Sequence, residues 1–96
     1  MTQIGNNMTR GCSIQYRRNA VRYLKKLNAR DRKRILESIE SLAAEETRVK
    51  QDVKKLVHRP AFRLRVGGFR VLFDIDMNRR KILIISVRPR GKAYKE

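Results

Sequence analysis

The chain has 96 residues and carries 25 lysines and arginines against nine acidic residues, a net charge of +16. That length suits one small domain with one modest core. No run is apolar enough to cross a bilayer as a helix, and a single cysteine, Cys12, excludes an intrachain disulfide. So large a positive charge weakens a compact fold by self-repulsion unless a polyanion relieves it, which makes nucleic acid the first expected partner, ahead of an anionic membrane. An acidic protein competing for the same surface is the other expectation, and it would protect the fold by mass action.

Residues 1–12 read as a short flexible leader without a signal-peptide core. Residues 13–96 read as a single domain without repeats. Cys12 suits small buried filler near a strand, and a reducing cytoplasm fits. His58 is the single histidine, and no Cys, His and carboxylate cluster has metal-ligand spacing, so neither a metal nor another cofactor is expected.

Ser13-Ile14-Gln15-Tyr16 alternates like a strand. From Arg18 to Leu27, Ala20, Tyr23, Leu24 and Leu27 form a helical apolar stripe, with Arg22, Lys25 and Lys26 opposite. Asn28 is a candidate N-cap for a second helix, with Asp31 three residues on, beside the first unpaired amides. That helix is predicted over about 30–44, its stripe being Ile35, Leu36, Ile39, Leu42 and Ala43. Its first half is basic (Arg30, Arg32, Lys33, Arg34) and its end acidic (Glu37, Glu40, Glu45, Glu46). That order opposes the helix dipole, so the charges are expected to shape surface potential rather than to stabilise the helix. Residues 47–52 read as a linking loop. Val53-Lys54-Lys55-Leu56 leads to His58-Arg59-Pro60, where Pro60 marks a break. A turn is predicted over 76–80, and 81–87 is apolar enough for a buried central strand.

Between these lies the strongest local signal, two strand-like runs flanking Gly67-Gly68, a two-residue hairpin loop. The loop fixes the register: Val66 faces Phe69, Arg65 faces Arg70, Leu64 faces Val71, Arg63 faces Leu72 and Phe62 faces Phe73. Alternation then puts Phe62, Leu64, Val66, Phe69, Val71 and Phe73 on one face, and Arg63, Arg65 and Arg70 around Leu72 on the other. Like charges directly opposite each other destabilise a sheet by roughly 0.2–1 kcal/mol per pair. Setting Arg65 against Arg70 therefore suggests a compensating gain, a preformed site for an anion such as phosphate. The predicted order β-α-α-β-β-β gives an α+β, two-layer fold. Two N-terminal helices cover the apolar face of a small, mainly antiparallel sheet, and the arginine face opens to solvent.

Strand, two helices, Val53-Lys54-Lys55-Leu56, then Phe62 to Val71, then Ile84-Ile85-Ser86-Val87 with Arg90 and Tyr94: this succession resembles the RelE branch of the RelE/ParE toxin superfamily from about Ser13 onward. The resemblance implies a small basic toxin of a type II toxin–antitoxin system that enters the ribosomal A site and cuts messenger RNA. It also implies a cognate antitoxin that holds the toxin inactive and through which the complex binds operator DNA, with no membrane involved. Arg63 and Arg65 match two strand positions that are basic, often lysine, in the family. Arg70 matches the arginine on the following strand, Arg90 the arginine after the last strand, and Tyr94 the C-terminal tyrosine. Pro89 stands where many relatives have histidine. Arg22, Lys25, Lys26, Arg30, Lys33, Arg34, Lys54, Lys55 and Lys92 are the candidate RNA- and ribosome-binding cations.

Metal-free RNA cleavage can use the substrate's own 2′-hydroxyl as nucleophile. The enzyme must align that group, accept its proton, stabilise the phosphorane charge and protonate the 5′-oxygen. Arg63, Arg65, Arg70 and Arg90 suit charge stabilisation, and the expected product is a 2′,3′-cyclic phosphate. Arginine cannot act as base at working pH. Tyr94, depressed by neighbouring guanidinium groups, is the leading candidate base, with His58 and Lys54 behind it. The plainer alternatives are base stacking for Tyr94, a salt bridge to Asp74 or Glu96 for Arg70, and an ordinary loop position for His58. Two rival functions share the fold or the charge: a ParE-like inhibitor of DNA gyrase, and a non-catalytic RNA- or ribosome-binding module.

Overall fold

The computed structural model describes residues 11–89. The expectations for residues 1–10, Arg90, Lys92 and Tyr94 fall outside that range. Strand β1 (Ser13–Tyr16) and helix α1 (Arg18–Lys26) form where alternation gives way to helical spacing. Helix α2 (Ala29–Glu40) starts at the expected cap, with Asn28 Oδ1 accepting from the Asp31 amide at 2.8 Å. Arg32 is not the solvated charge its sequence neighbours suggest. Its Nη1 donates to the Leu27 and Leu24 carbonyls at 2.8 and 3.3 Å, satisfying the C-terminal end of α1.

Helix α2 ends four residues earlier than predicted. Ser41 Oγ donates to the Glu37 carbonyl at 3.1 Å, a local bond that competes with the helical pattern. A 3₁₀ turn (Ser41–Ala43) then directs Leu42 into the core. Ala44 is extended, and a short helix α3 (Glu45–Arg48) follows. The break changes the meaning of the charges: Glu45 and Glu46 sit in a first turn, where the dipole favours carboxylates, and Arg48 closes the last turn.

Val53 and its neighbours form a strand, β2 (Asp52–Lys55), where the sequence suggested the end of a loop. Strands β3 (Phe62–Val66), β4 (Phe69–Asp76) and β5 (Lys81–Pro89) complete the sheet, in the order β1-β5-β4-β3-β2. Only the β1–β5 pair is parallel. The hairpin register is the predicted one at all five pairs. Gly67 has φ +55° and Gly68 does not have positive φ, the pattern of a II′ turn. The architecture is thus α+β and two-layered as expected, with five strands and three helices among the described residues rather than four and two.

Ile35, Ile39 and Leu42 from the helical layer bury against Leu64, Val71, Phe73, Ile82 and Ile84 of the sheet. The Phe62 and Phe73 rings stack at 5.6 Å between centroids. Cys12 joins this core, as small buried filler should. The opposite sheet face is left to the arginines.

Candidate functional site

Four strands bring charged residues into one line across that face. Asp52 on β2 pairs with Arg65 on β3, Arg65 with Arg70 on β4, and Arg70 with Arg88 on β5. The adjacent line runs Lys54, Arg63, Leu72 and Ser86. A register shift after Leu72 keeps the lines intact, because Leu72 pairs with Ser86 and Phe73 with Ile84, with Ile85 taken up as a bulge.

Asp52 is the residue the sequence reading missed. Its Oδ1 accepts from Arg63 Nη2 at 3.1 Å, and its Oδ2 lies 3.7 Å from Arg65 Nη1. One carboxylate thus pairs with two guanidinium groups, one in its own line and one in the next. A signal was present: Asp52 is the only acidic residue between Glu46 and Asp74. Placing it required recognising β2 as a strand.

The expectation that the arginine face opens fully to solvent fails at Arg63. Its side chain is only 9% exposed, and Leu72 and Ser86 beside it are buried. Arg65 stays exposed, while Arg70 is half-buried, with its Nε and Nη1 buried. Arg63 Nε is buried and has no hydrogen-bond partner among the described residues. Lys54, Lys55 and the β2–β3 loop, with His58 and Arg59 on it, line a cleft of about 410 Å³ together with Arg63 and Arg70.

Among the sequence-predicted residues, the fold therefore gathers Arg63, Arg65, Arg70, Lys54 and Lys55. The helical cations are elsewhere. Arg22 and Lys26 border a smaller cleft, about 260 Å³, between α1 and the end of β5, where Arg88 also contributes. Lys25, Arg30 and Lys33 are exposed on the helical layer. Arg34 reaches the hairpin tip: a Cβ built on Gly67 would lie 2.8 Å from its guanidinium carbon. Neither described tyrosine suits a base. Burial, and secondarily Glu40, raises the Tyr16 phenol above the usual value near 10; burial, then Asp31, does the same for Tyr23. No group of three or more metal-ligating side chains is found among the described residues. Nor does any helix there have the length and apolarity to cross a membrane.

Chemically, this face can hold an anion at several points and cannot itself take up a proton through its arginines. The sequence model of a family described as the ParE toxin of type II toxin–antitoxin system, parDE, covers residues 14–94. No curated protein matches the sequence. Among solved structures, the RelE–RelB complex of Pyrococcus horikoshii OT3 is similar at 29% identity and a TM-score of 0.73, covering 85% of this chain and 98% of that one. The RelBE2 toxin–antitoxin complex of Mycobacterium tuberculosis is similar at 28% identity and a TM-score of 0.71, covering 83% and 99%. The intact Escherichia coli RelBE complex shares the fold at 17% identity and a TM-score of 0.67, covering 84% and 99%. The family match over most of the chain, joined to this architecture, makes the protein a member of the RelE/ParE superfamily of type II toxin–antitoxin toxins, with a RelE-like fold.

Proposed function

We propose that the protein is a ribosome-dependent endoribonuclease that cuts messenger RNA in the A site by metal-free attack of the 2′-hydroxyl. The observation that carries this reading is the line of Arg65, Arg70 and Arg88 running beside Arg63 at the cleft. Charge-assisted bonds from guanidinium groups are strong and match phosphate oxygens in pairs. Aimed at a phosphorane, they stabilise charge that develops only in the transition state. Arg90 and Tyr94 carry over from the family resemblance, Arg90 as a further cation for the phosphorane and Tyr94 as the proposed base.

The +16 charge gives salt-dependent attraction to ribosomal RNA, with the helical cations contributing to binding rather than to chemistry. The cognate antitoxin is a protein that covers this basic surface in the cytoplasm, and operator DNA is bound through it. The structural relatives described as RelE–RelB complexes support such a partner.

A second reading is favoured by the family model itself, whose description is ParE toxin. A gyrase inhibitor of that kind would need no phosphate clamp. One experiment separates the two. Purified protein is added to a cell-free translation reaction, and messenger 5′ ends are mapped by primer extension with and without ribosomes on the message. Cuts in codon register, only on translated message, are the expected result. Intact message with running translation would replace this proposal with gyrase inhibition. Intact message with stalled translation would mean binding without chemistry.

A further inference from the structure

The arginines of the cleft can hold negative charge but cannot release a proton at working pH. Cleavage also needs an acid at the departing oxygen. We propose that His58 is that acid. The inference rests on the endoribonuclease reading and adds a residue outside the arginine and tyrosine positions that the family resemblance supplies.

His58 is the chain's only histidine, and histidine is the side chain whose ordinary range spans neutrality. It lines the same cleft as Arg63 and Arg70. Its loop is closed at the base, where the Leu56 amide donates to the Ala61 carbonyl at 2.9 Å and the Ala61 amide to the Arg59 carbonyl at 2.8 Å. Ala61 is buried and Pro60 restricts the backbone beside it. The imidazole is therefore carried on a short, anchored turn at the edge of the clamp. Arg63 supplies the second, independent sign of a ligand: a side chain more than nine-tenths buried, lining the cleft, with a donor unmatched among the described residues. A phosphate oxygen would match it. The cleft volume falls within the range of roughly 300–1,000 Å³ usual for ligand sites.

Among the described residues, the charged groups that line the cleft with His58 are all cations: Lys54 and Lys55 from β2, Arg63 from β3, Arg70 from β4 and Arg59 from its own loop. A bound phosphate brings negative charge that offsets these cations. The step then balances without a co-reactant. The 2′-oxygen bonds to phosphorus as its proton passes to the base. The bond from phosphorus to the 5′-oxygen breaks, and its electron pair stays on that oxygen. The imidazolium N–H proton moves to it, leaving a 5′-hydroxyl, a 2′,3′-cyclic phosphate and a neutral His58 that solvent reprotonates.

The test compares the parent with His58→Gln in single-turnover cleavage of ribosome-bound message. A second message carries sulfur in place of the scissile 5′-oxygen, a leaving group that departs without a proton. On the oxygen message His58→Gln should lose about 10²–10³-fold in rate, within the usual range for an acid–base group. It should also lose the fall in rate at alkaline pH that a general acid imposes. On the sulfur message it should cut nearly as fast as the parent, which also shows that the variant folds. An equal loss on both messages would make His58 structural and overturn the assignment, as would an unchanged rate on the oxygen message. A parent that cuts neither message would instead defeat the endoribonuclease reading, and this inference with it.

Discussion

The two faces of this sheet obey different rules. The helix-facing side is held by Leu64, Val71, Phe73, Ile82 and Ile84, whose attraction is non-directional and scales with buried apolar area. The opposite side holds Arg63, Arg65, Arg70 and Arg88 with the Asp52 carboxylate among them, and its order depends on strand register and on directed contacts. The first face makes the fold; the second tolerates repulsion that the first must offset. A protein built this way should let stability and activity be damaged separately.

The sharpest break of that contrast is on the core face. Phe73 is fully buried and stacks on Phe62, so Phe73→Ala should cost about 3–5 kcal/mol. Against a total stability of about 5–15 kcal/mol for a typical domain, that is a large share. Urea denaturation measures it, and a loss below about 1 kcal/mol would show that the core is less tightly packed than it looks.

Arg70→Ala is the corresponding cut on the other face. Removing one donor from a charge-stabilising site lowers turnover by about 10²–10³-fold, equivalent to about 3–4 kcal/mol of barrier. Ribosome co-sedimentation should barely change, because many other cations share the binding. The urea midpoint should fall less than for Phe73→Ala. Unimpaired cleavage by Arg70→Ala would remove Arg70 from the clamp.

Asp52→Asn probes the join between the two behaviours. It removes the carboxylate between Arg63 and Arg65. Since Asp52 is half-exposed, the loss in stability should be only about 1 kcal/mol at low salt, and smaller as salt rises. The variant should also elute later from a heparin column, because the arginine line has lost its counter-charge. A stability change independent of salt would mean that the contact acts through something other than charge.

The apolar face was readable because each of its signals is local. Gly67-Gly68 set the register, alternation chose the face, and Asn28 marked the start of α2. What escaped the sequence depends on partners distant along the chain. β2 has only Val53 facing the core, so its alternation is too brief to stand out, and with β2 unrecognised Asp52 could not be placed beside Arg63. The cleft beside Arg63 is walled by the β2–β3 loop, which no periodicity describes. Arg32 and Arg34 looked like members of a charged run, yet one caps α1 and the other rests against Gly67. Charge runs show sign and density; they do not show which member has found a partner.

The order β1-β5-β4-β3-β2 also has a temporal side. The strand synthesised last among those described, β5, is flanked on both sides, by the first strand and by β4. Until it is made, β1 has no partner among the described strands, and Arg70 lacks Arg88 across the line. The arginine line therefore cannot be completed before β5 is made. Its assembly waits on the last of the described strands, after the core-facing residues of the helices and the hairpin are already in place along the chain.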